Sequence, residues 1–336
     1  METNKEMKSN PVLRHVPRVA GLALLPLLAG HALAQSPSVS QPGGLNLGVT
    51  SFYDGFSGPP GWAWQSTVRY SSANKIVDSK GNASNVFTKP KIDSTVILNQ
   101  LSYAMPTSFG GWRPGFMVIL PVVALRSSFG PGPSLQDGGT GAGDMTVEAS
   151  LQSEPVLNAG GAPLFVQRFT AAAMLPTGRY NENVDINQGS GYASFNPYWA
   201  ATLFPAPRWE VSWRLHYLYN FKNDKPASSA PRPFNGAPVT TTQAGDAGWI
   251  NFATSYAVTP DVSIGINGYY FQQLSDSRAN GTRLADSRER VLGIGPGLMW
   301  RISPERALWV NAYTESMVRN RAASSLNLQV RAVFAL

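Results

Sequence analysis

The body of this chain carries few residues that could do covalent chemistry. Its 336 residues include three histidines, and two of them, His15 and His31, fall in the first 34 positions. That leaves His216, with Ser212 four residues before it in the run Trp209–Phe221. In a strand these two side chains share a face but lie roughly 13 Å apart, at about 3.3 Å per residue, too far for a base to activate a nucleophile. No Gly-x-Ser-x-Gly elbow, His-Glu-x-x-His pair or phosphate-cradling loop is present, and there is no cysteine. Asp276, Asp286 and Glu289, with Asp224 in another loop, are the acids closest to a cation set, and they read as solvated loop charges. We expect no enzyme, no metal and no cofactor. An outer-membrane hydrolase using His216 is the alternative.

The remaining charges follow a pattern instead. In Gly143–Gln152, Met145, Val147, Ala149 and Leu151 alternate with Asp144, Thr146, Glu148, Ser150 and Gln152. Alternation of this kind makes a strand with one apolar and one polar face. Trp209–Phe221 repeats it, with Trp209, Val211, Trp213, Leu215, Tyr217 and Tyr219 against Glu210, Ser212, Arg214 and His216. The same parity puts Arg69, Asp144, Glu148, Arg168, Glu210, Arg214, His216, Glu315 and Arg331 on polar faces. Either those faces meet water outside a soluble core, or they line the lumen of a barrel whose apolar faces meet lipid. In lipid an inward orientation is strongly favoured, since an arginine at mid-membrane costs about 2–4 kcal/mol. We expect these nine residues to line the lumen, as the wall of a pore or as paired charges in a plugged interior. A turn at Pro155–Ala162 would set Glu148 opposite Arg168.

The elements that position them decide between the two readings. Strand-length runs recur at Trp62–Tyr70, Thr95–Ala104, Phe116–Leu125, Gly143–Gln152, Leu164–Leu175 and Ser194–Phe204. They continue at Trp209–Phe221, Gly248–Ala257, Val262–Leu274, Arg290–Ile302, Leu308–Met317 and Ser325–Leu336. Each is near the length a tilted strand needs to cross an outer membrane. Their connections alternate long and short: Ser71–Asp93, Arg126–Ala142, Pro176–Ala193, Lys222–Ala247, Ser275–Glu289 and Val318–Ser324 against tight turns near Pro106, Pro155, Pro205, Thr259 and Ser303. A soluble sandwich has no reason to gather its long loops at one end, whereas a membrane barrel does. We therefore expect an all-β chain, a transmembrane antiparallel up-and-down β-barrel of about twelve strands. The last strand, with Leu326, Leu328, Val330, Ala332, Phe334 and Leu336 on one face, would pair with the first and remove the sheet edge that lipid forbids. Tryptophans near strand ends (Trp62, Trp64, Trp112, Trp199, Trp209, Trp249, Trp300 and Trp309), with Tyr103, read as interfacial girdles. Pro121, Pro197 and Pro296 fall inside proposed strands, where each costs a ladder bond.

Composition agrees. Charged residues are 14% against a usual quarter or so, and the formal charge of +7 is dispersed, which excludes a nucleic-acid binder with its concentrated basic patch. A basic stretch ending at Arg18, the short apolar run Val19–Ala29 and the small-x-small Ala32-Leu33-Ala34 have the order of a secretory signal. We expect a signal peptide at 1–34, a periplasmic or lumenal segment at 35–60 and the barrel at 61–336. The Pro/Gly/Ser content of the segment makes looseness its default.

With the strands laid out, GDMTVEASLQ (143–152), LPTGRYN (175–181), NPYWAATLFP (196–205), YNFKND (219–224), INGYYFQQLSDSR (266–278) and GIGPGLMW (293–300) stand in an order and spacing that resemble one outer-membrane family. That family is named for the meta-cleavage pathway of phenol degradation. The resemblance covers about Gly44 to the C-terminus and implies a barrel of porin-like or hydrophobe-uptake type in the bacterial outer membrane. It carries no catalytic residues and names no ligand. The expectation is passive passage of small, hydrophobic or aromatic organic solutes. The partners are outer-membrane lipid and the barrel-assembly machinery, although the chain ends in Leu336 rather than an aromatic residue. A structural or adhesive barrel with a closed lumen is the competing reading.

Overall fold

In the computed structural model, which describes residues 39–230 and 236–336, alternating side chains and paired backbones close into a barrel. The expected signal peptide lies outside the described residues. The wall strands are β1 Gly61–Val77, β2 Lys91–Ala104, β3 Trp112–Ser128, β4 Met145–Ser153, β5 Pro163–Leu175 and β6 Ser194–Ala206. They continue as β7 Trp209–Asn220, β8 Ala247–Ala257, β9 Val262–Gln273, β10 Arg290–Ser303, β11 Arg306–Arg319 and β12 Arg321–Ala335. Neighbours in sequence pair antiparallel, and β12 returns to β1 through Trp64↔Phe334, Val68↔Val330 and Tyr70↔Leu328. This is a closed twelve-stranded up-and-down barrel, with every wall strand hydrogen-bonded on both sides as a bilayer requires.

Parity sorts the faces. Leu101, Phe116, Leu120, Phe169, Leu215, Ile264, Ile266, Ile294 and Leu328 point outward and stay exposed, forming the band that meets lipid. Near the short-turn end Trp62, Trp209 and Trp300 also face out, a position that suits amphipathic rings. Trp249 and Trp309 depart from the expected girdle. Both sit at inward positions, Trp249 opposite His216 and Trp309 opposite Arg331.

Three further expectations need correction. The strands run longer than the apolar alternation alone suggests. β1 reaches Val77 and β12 begins at Arg321, so the expected loop Val318–Ser324 is a tight turn with Asn320 at φ 53°. The hairpin between β4 and β5 turns at Asn158–Gly161, later than the Pro155–Ala162 centre, because Val156–Leu157 adds a short strand against β5. Gln152, not Glu148, therefore stands opposite Arg168, and Glu148 stands opposite Ala172. The prolines do lie within strands, and each meets a local gap. Pro197 pairs with Ala171 on β5 while its position on the β7 side is unpaired, and Pro296 is unpaired toward β11. β3 leaves β4 before Pro121, whose carbonyl accepts from Gly143 N instead (2.9 Å).

Candidate functional site

A barrel of this kind has a lumen, and here residues 39–60 run through it. Val39 packs with Tyr192, Val239, Ala244, Ala279 and Leu284 among the long loops, while Gly61 opens β1 at the short-turn end. Between them the segment has no strand partner, so its backbone polar groups must be satisfied by side chains of the wall. Trp249 Nε1 and Asn251 Nδ2 each donate to Asn46 O (2.9 Å), Gly48 N donates to Asn251 Oδ1 (2.9 Å) and Tyr313 O–H to Gly48 O (2.8 Å). Lower down, Gly55 N donates to Thr202 Oγ1 (2.9 Å), Arg168 Nη1 to Phe56 O (3.1 Å) and Ser57 N to Gln152. Leu45, Leu47 and Phe52 fill the space between these bonds and are almost fully buried. Leu45 and Leu47 share a cluster with Met174, Leu218, Tyr269 and Tyr313, and Phe52 one with Ala253 and Met299.

One ion pair fixes the segment's lower part. Arg214 forks onto Asp54, Nε to Oδ2 at 3.0 Å and Nη2 to Oδ1 at 2.5 Å, with both side chains buried. This bidentate geometry is the strong form of the guanidinium–carboxylate bond. Arg214 also lies over the Tyr198 ring, 4.5 Å from its centroid. Two glycines permit the close fit. A Cβ at Gly48 (φ +69°) would stand 2.7 Å from the Tyr269 ring, and one at Gly55 would stand 2.6 Å from Thr202 N.

The residues singled out from sequence are placed as follows. Glu148 accepts from Tyr198 O–H (2.7 Å). Glu210 accepts from Ser255 Oγ (2.8 Å), from Ser212 Oγ and from the segment through Tyr53 N. Arg168 and Arg214 hold the segment. Asp144 accepts from Gly178 N and Ser190 N (3.0 and 2.7 Å), which pins a long loop. Glu315 accepts from Tyr269 O–H and Ser324 N (2.7 Å each). Arg69 is opposite Gln329 on the β1–β12 inner wall, and Arg331 Cζ lies over Trp309, 4.0 Å from the ring centroid.

His216 stacks on Trp249 (4.1 Å, 10° between planes), contacts Tyr198 on its other side and shares a bond with Asn196 Oδ1 through Nδ1 (3.1 Å). Ser212 is not its partner. The serine hydroxyl is committed to Glu210 and Thr202, so no Ser–His couple forms. Asp276 is held by Arg283 and by Arg288 (2.9 Å). Burial pushes its carboxyl up, but the two guanidinium bonds outweigh that and hold it below the usual carboxylate range. Among the described residues no group of acids and histidines could hold a metal.

The residue that sequence reading missed is Asp54. It had a signal, since it is the lone charged residue between Arg18 and Arg69. A lone carboxylate in an otherwise apolar and Gly/Pro-rich stretch invites a search for a buried cation.

The segment does not fill the lumen. It packs toward β6–β11 and leaves a cavity of about 660 Å³ against β1–β4, bordered by Leu98, Gln100, Met117, Ile119, Glu148 and Arg331. Outside the barrel, an almost wholly apolar groove of about 1100 Å³ crosses β3 to β9 past Phe116, Leu151, Phe169, Trp199, Leu215 and Ile250. Gly115, Ser150, Tyr198, His216 and Trp249 border both spaces. The β6–β7 ladder is interrupted at the same place. Asn196 and Pro197 make no ladder pair with β7, and Asn196 Nδ2 donates to Tyr217 O (2.7 Å) across the gap.

These features define a class, the transport barrels of the bacterial outer membrane. Residues 73–332 match the family described as "Putative MetA-pathway of phenol degradation", and the chain belongs to that family. Among solved structures it resembles the COG4313 outer membrane channel from Pseudomonas putida F1, with 19% identity and a TM-score of 0.71 over 85% of this chain and 99% of that one. It is also similar to the transport unit of the autotransporter AIDA-I from Escherichia coli (10% identity, TM-score 0.47, 85% of this chain and 93% of that one). A Pseudomonas aeruginosa FadL homologue matches at 10% identity and TM-score 0.40, over 89% and 99%. None of the curated protein sequences compared with the chain matches it.

Proposed function

We propose that this barrel admits small apolar or aromatic organic solutes by passive diffusion, and that they move between the lumenal cavity and the outer groove past Tyr198, His216 and Trp249. The observation that carries this reading is the shared border of those two spaces at the interrupted β6–β7 ladder. A hydrophobic solute concentrates in the membrane's hydrocarbon. A groove with an apolar lining gives it a path that never requires full hydration. Six of the nine polar-face residues then serve two roles. Arg168, Glu210 and Arg214 hold the segment, while Glu148, His216 and Arg331 face the solute.

The chain's lack of cysteine makes a clean test available. Asn196→Cys with Leu218→Cys places a disulfide across the unpaired part of β6–β7. Oxidised cells expressing this variant should take up a small aromatic hydrocarbon several-fold more slowly than the same cells after reduction. Equal uptake in both redox states, with the disulfide verified by mass, would show that the seam is not on the route.

A further inference from the structure

Among the described buried charges that border the cavity, Arg331 alone makes no hydrogen bond or ion pair, although Arg168 also leaves its Nε without a partner. Asp54 is paired with Arg214, Arg168 donates to carbonyls of the segment, Asp144 is saturated by Gly178 and Ser190, and Glu148 receives Tyr198. Arg331 is 7% exposed, yet it donates a hydrogen bond to no described residue, its Nε is orphaned and no described carboxylate lies within ion-pair distance. A guanidinium buried without an anion is unfavourable, so the position asks for one.

Its surroundings hold further unpartnered groups. Thr67 is directly opposite Arg331, and Arg69 with Gln329 forms the next inward pair along the same two strands. Thr67 and Gln329 are 0% and 1% exposed, and Thr67 Oγ1, Arg69 Nε and both amide atoms of Gln329 also lack partners. Thr67, Arg69 and Gln329 do not border the cavity, so Arg331 is the unpartnered cation that an anion there would meet. Arg331 Cζ lies 4.0 Å from the centroid of the Trp309 ring, and no described residue takes its N–H groups, which a carboxylate can accept in fork fashion. Besides Arg331, the cavity is lined by apolar side chains that include Leu98, Met117 and Ile119.

We propose that the cavity is a binding site for an amphipathic organic anion, whose carboxylate sits on Arg331 and whose apolar body lies along Leu98, Met117 and Ile119. This names a solute class for the route proposed above and rests on that reading for its role in uptake, although the site can be tested by binding alone. The probes are phenylbutyrate, phenylbutanol and phenylbutylamine, titrated calorimetrically against the full barrel in lipid nanodiscs. The acid should bind at least about tenfold more tightly than the alcohol or the amine, a difference of about 1.4 kcal/mol. Arg331→Gln should erase that preference by weakening the acid to the level of the alcohol, while Arg331→Lys should keep part of it. Acid and alcohol binding equally to the unaltered protein, or no binding of either, would overturn the proposal without reliance on any variant. Acid-selective binding in a protein whose uptake ignores the seam disulfide would instead uphold the site and sink the route.

Discussion

Asp54→Ala should widen the conducting path through the barrel. In planar bilayers its single-channel conductance is expected to rise several-fold over the unaltered protein. The segment would lose the ion pair that fixes its lower part and would no longer hold one position across the lumen. The cost falls on stability as well. Removing one partner of a buried pair leaves the other charge uncompensated and costs about 3–5 kcal/mol. Arg214 is that stranded charge, enclosed by Tyr198 and the wall. Asp54→Asn separates the two effects, since it retains a hydrogen-bonding group of the same shape and removes the charge. It should give an intermediate conductance and a smaller loss. Unchanged conductance in a folded Asp54→Ala barrel would mean that the other anchors hold the segment without this ion pair.

The second large effect is expected at Gly48. Its φ of +69° disfavours any side chain, and a Cβ there would stand 2.7 Å from the Tyr269 ring and 2.9 Å from the Tyr313 ring. Gly48→Val therefore combines backbone strain of about 1–3 kcal/mol with a clash between packed aromatics that have no room to give. The segment can escape only by leaving Asn251 and Tyr313, which breaks the bonds to Gly48 N and Gly48 O. Thermal unfolding should shift down by several degrees. Gly58→Ala is the control. Its φ is +87°, but nothing lies within 4 Å of the added carbon, so only the backbone cost remains. Equal shifts for the two variants would show that the Tyr269–Tyr313 pocket is looser than its geometry implies.

Much of the wall is legible in the sequence because a strand's period of two leaves so direct a trace. Met145 to Leu151 and Trp209 to Tyr219 carry their orientation in their spelling, and the alternating loop lengths carry the architecture. Register is written more faintly. Glu148 and Arg168 both face inward as their parity requires, but a hairpin centred two residues later slides them past each other. The two misread tryptophans show a similar limit. Trp249 and Trp309 sit near strand ends like the girdle residues, and the partners that draw them inward, His216 and Arg331, are distant in sequence.

The lumenal segment is the least legible part, for a physical reason. Its contacts run largely through backbone N–H and C=O groups of Asn46, Gly48, Gly55 and Phe56, which wall side chains satisfy from far away in the chain. Such a stretch needs neither periodicity nor strong propensity. Its small residues, which resemble a loose linker, are what allow it to pass between aromatic rings. Asp54 is the one residue there that breaks the pattern.

The central claim is that residues 39–60 occupy the lumen and that solutes pass beside them. Ser51 Oγ and Asn311 of β11 touch across the lumen, at 3.2 and 3.4 Å, though 260 positions separate them in the chain. In a chain otherwise free of cysteine, Ser51→Cys with Asn311→Cys can be bridged in intact cells by a short bifunctional thiol reagent and the product read by mass spectrometry. A single intramolecular cross-link between the segment and β11 is the predicted result. Two separately labelled thiols with no bridge, in a barrel that still shows heat-modifiable mobility, would contradict it.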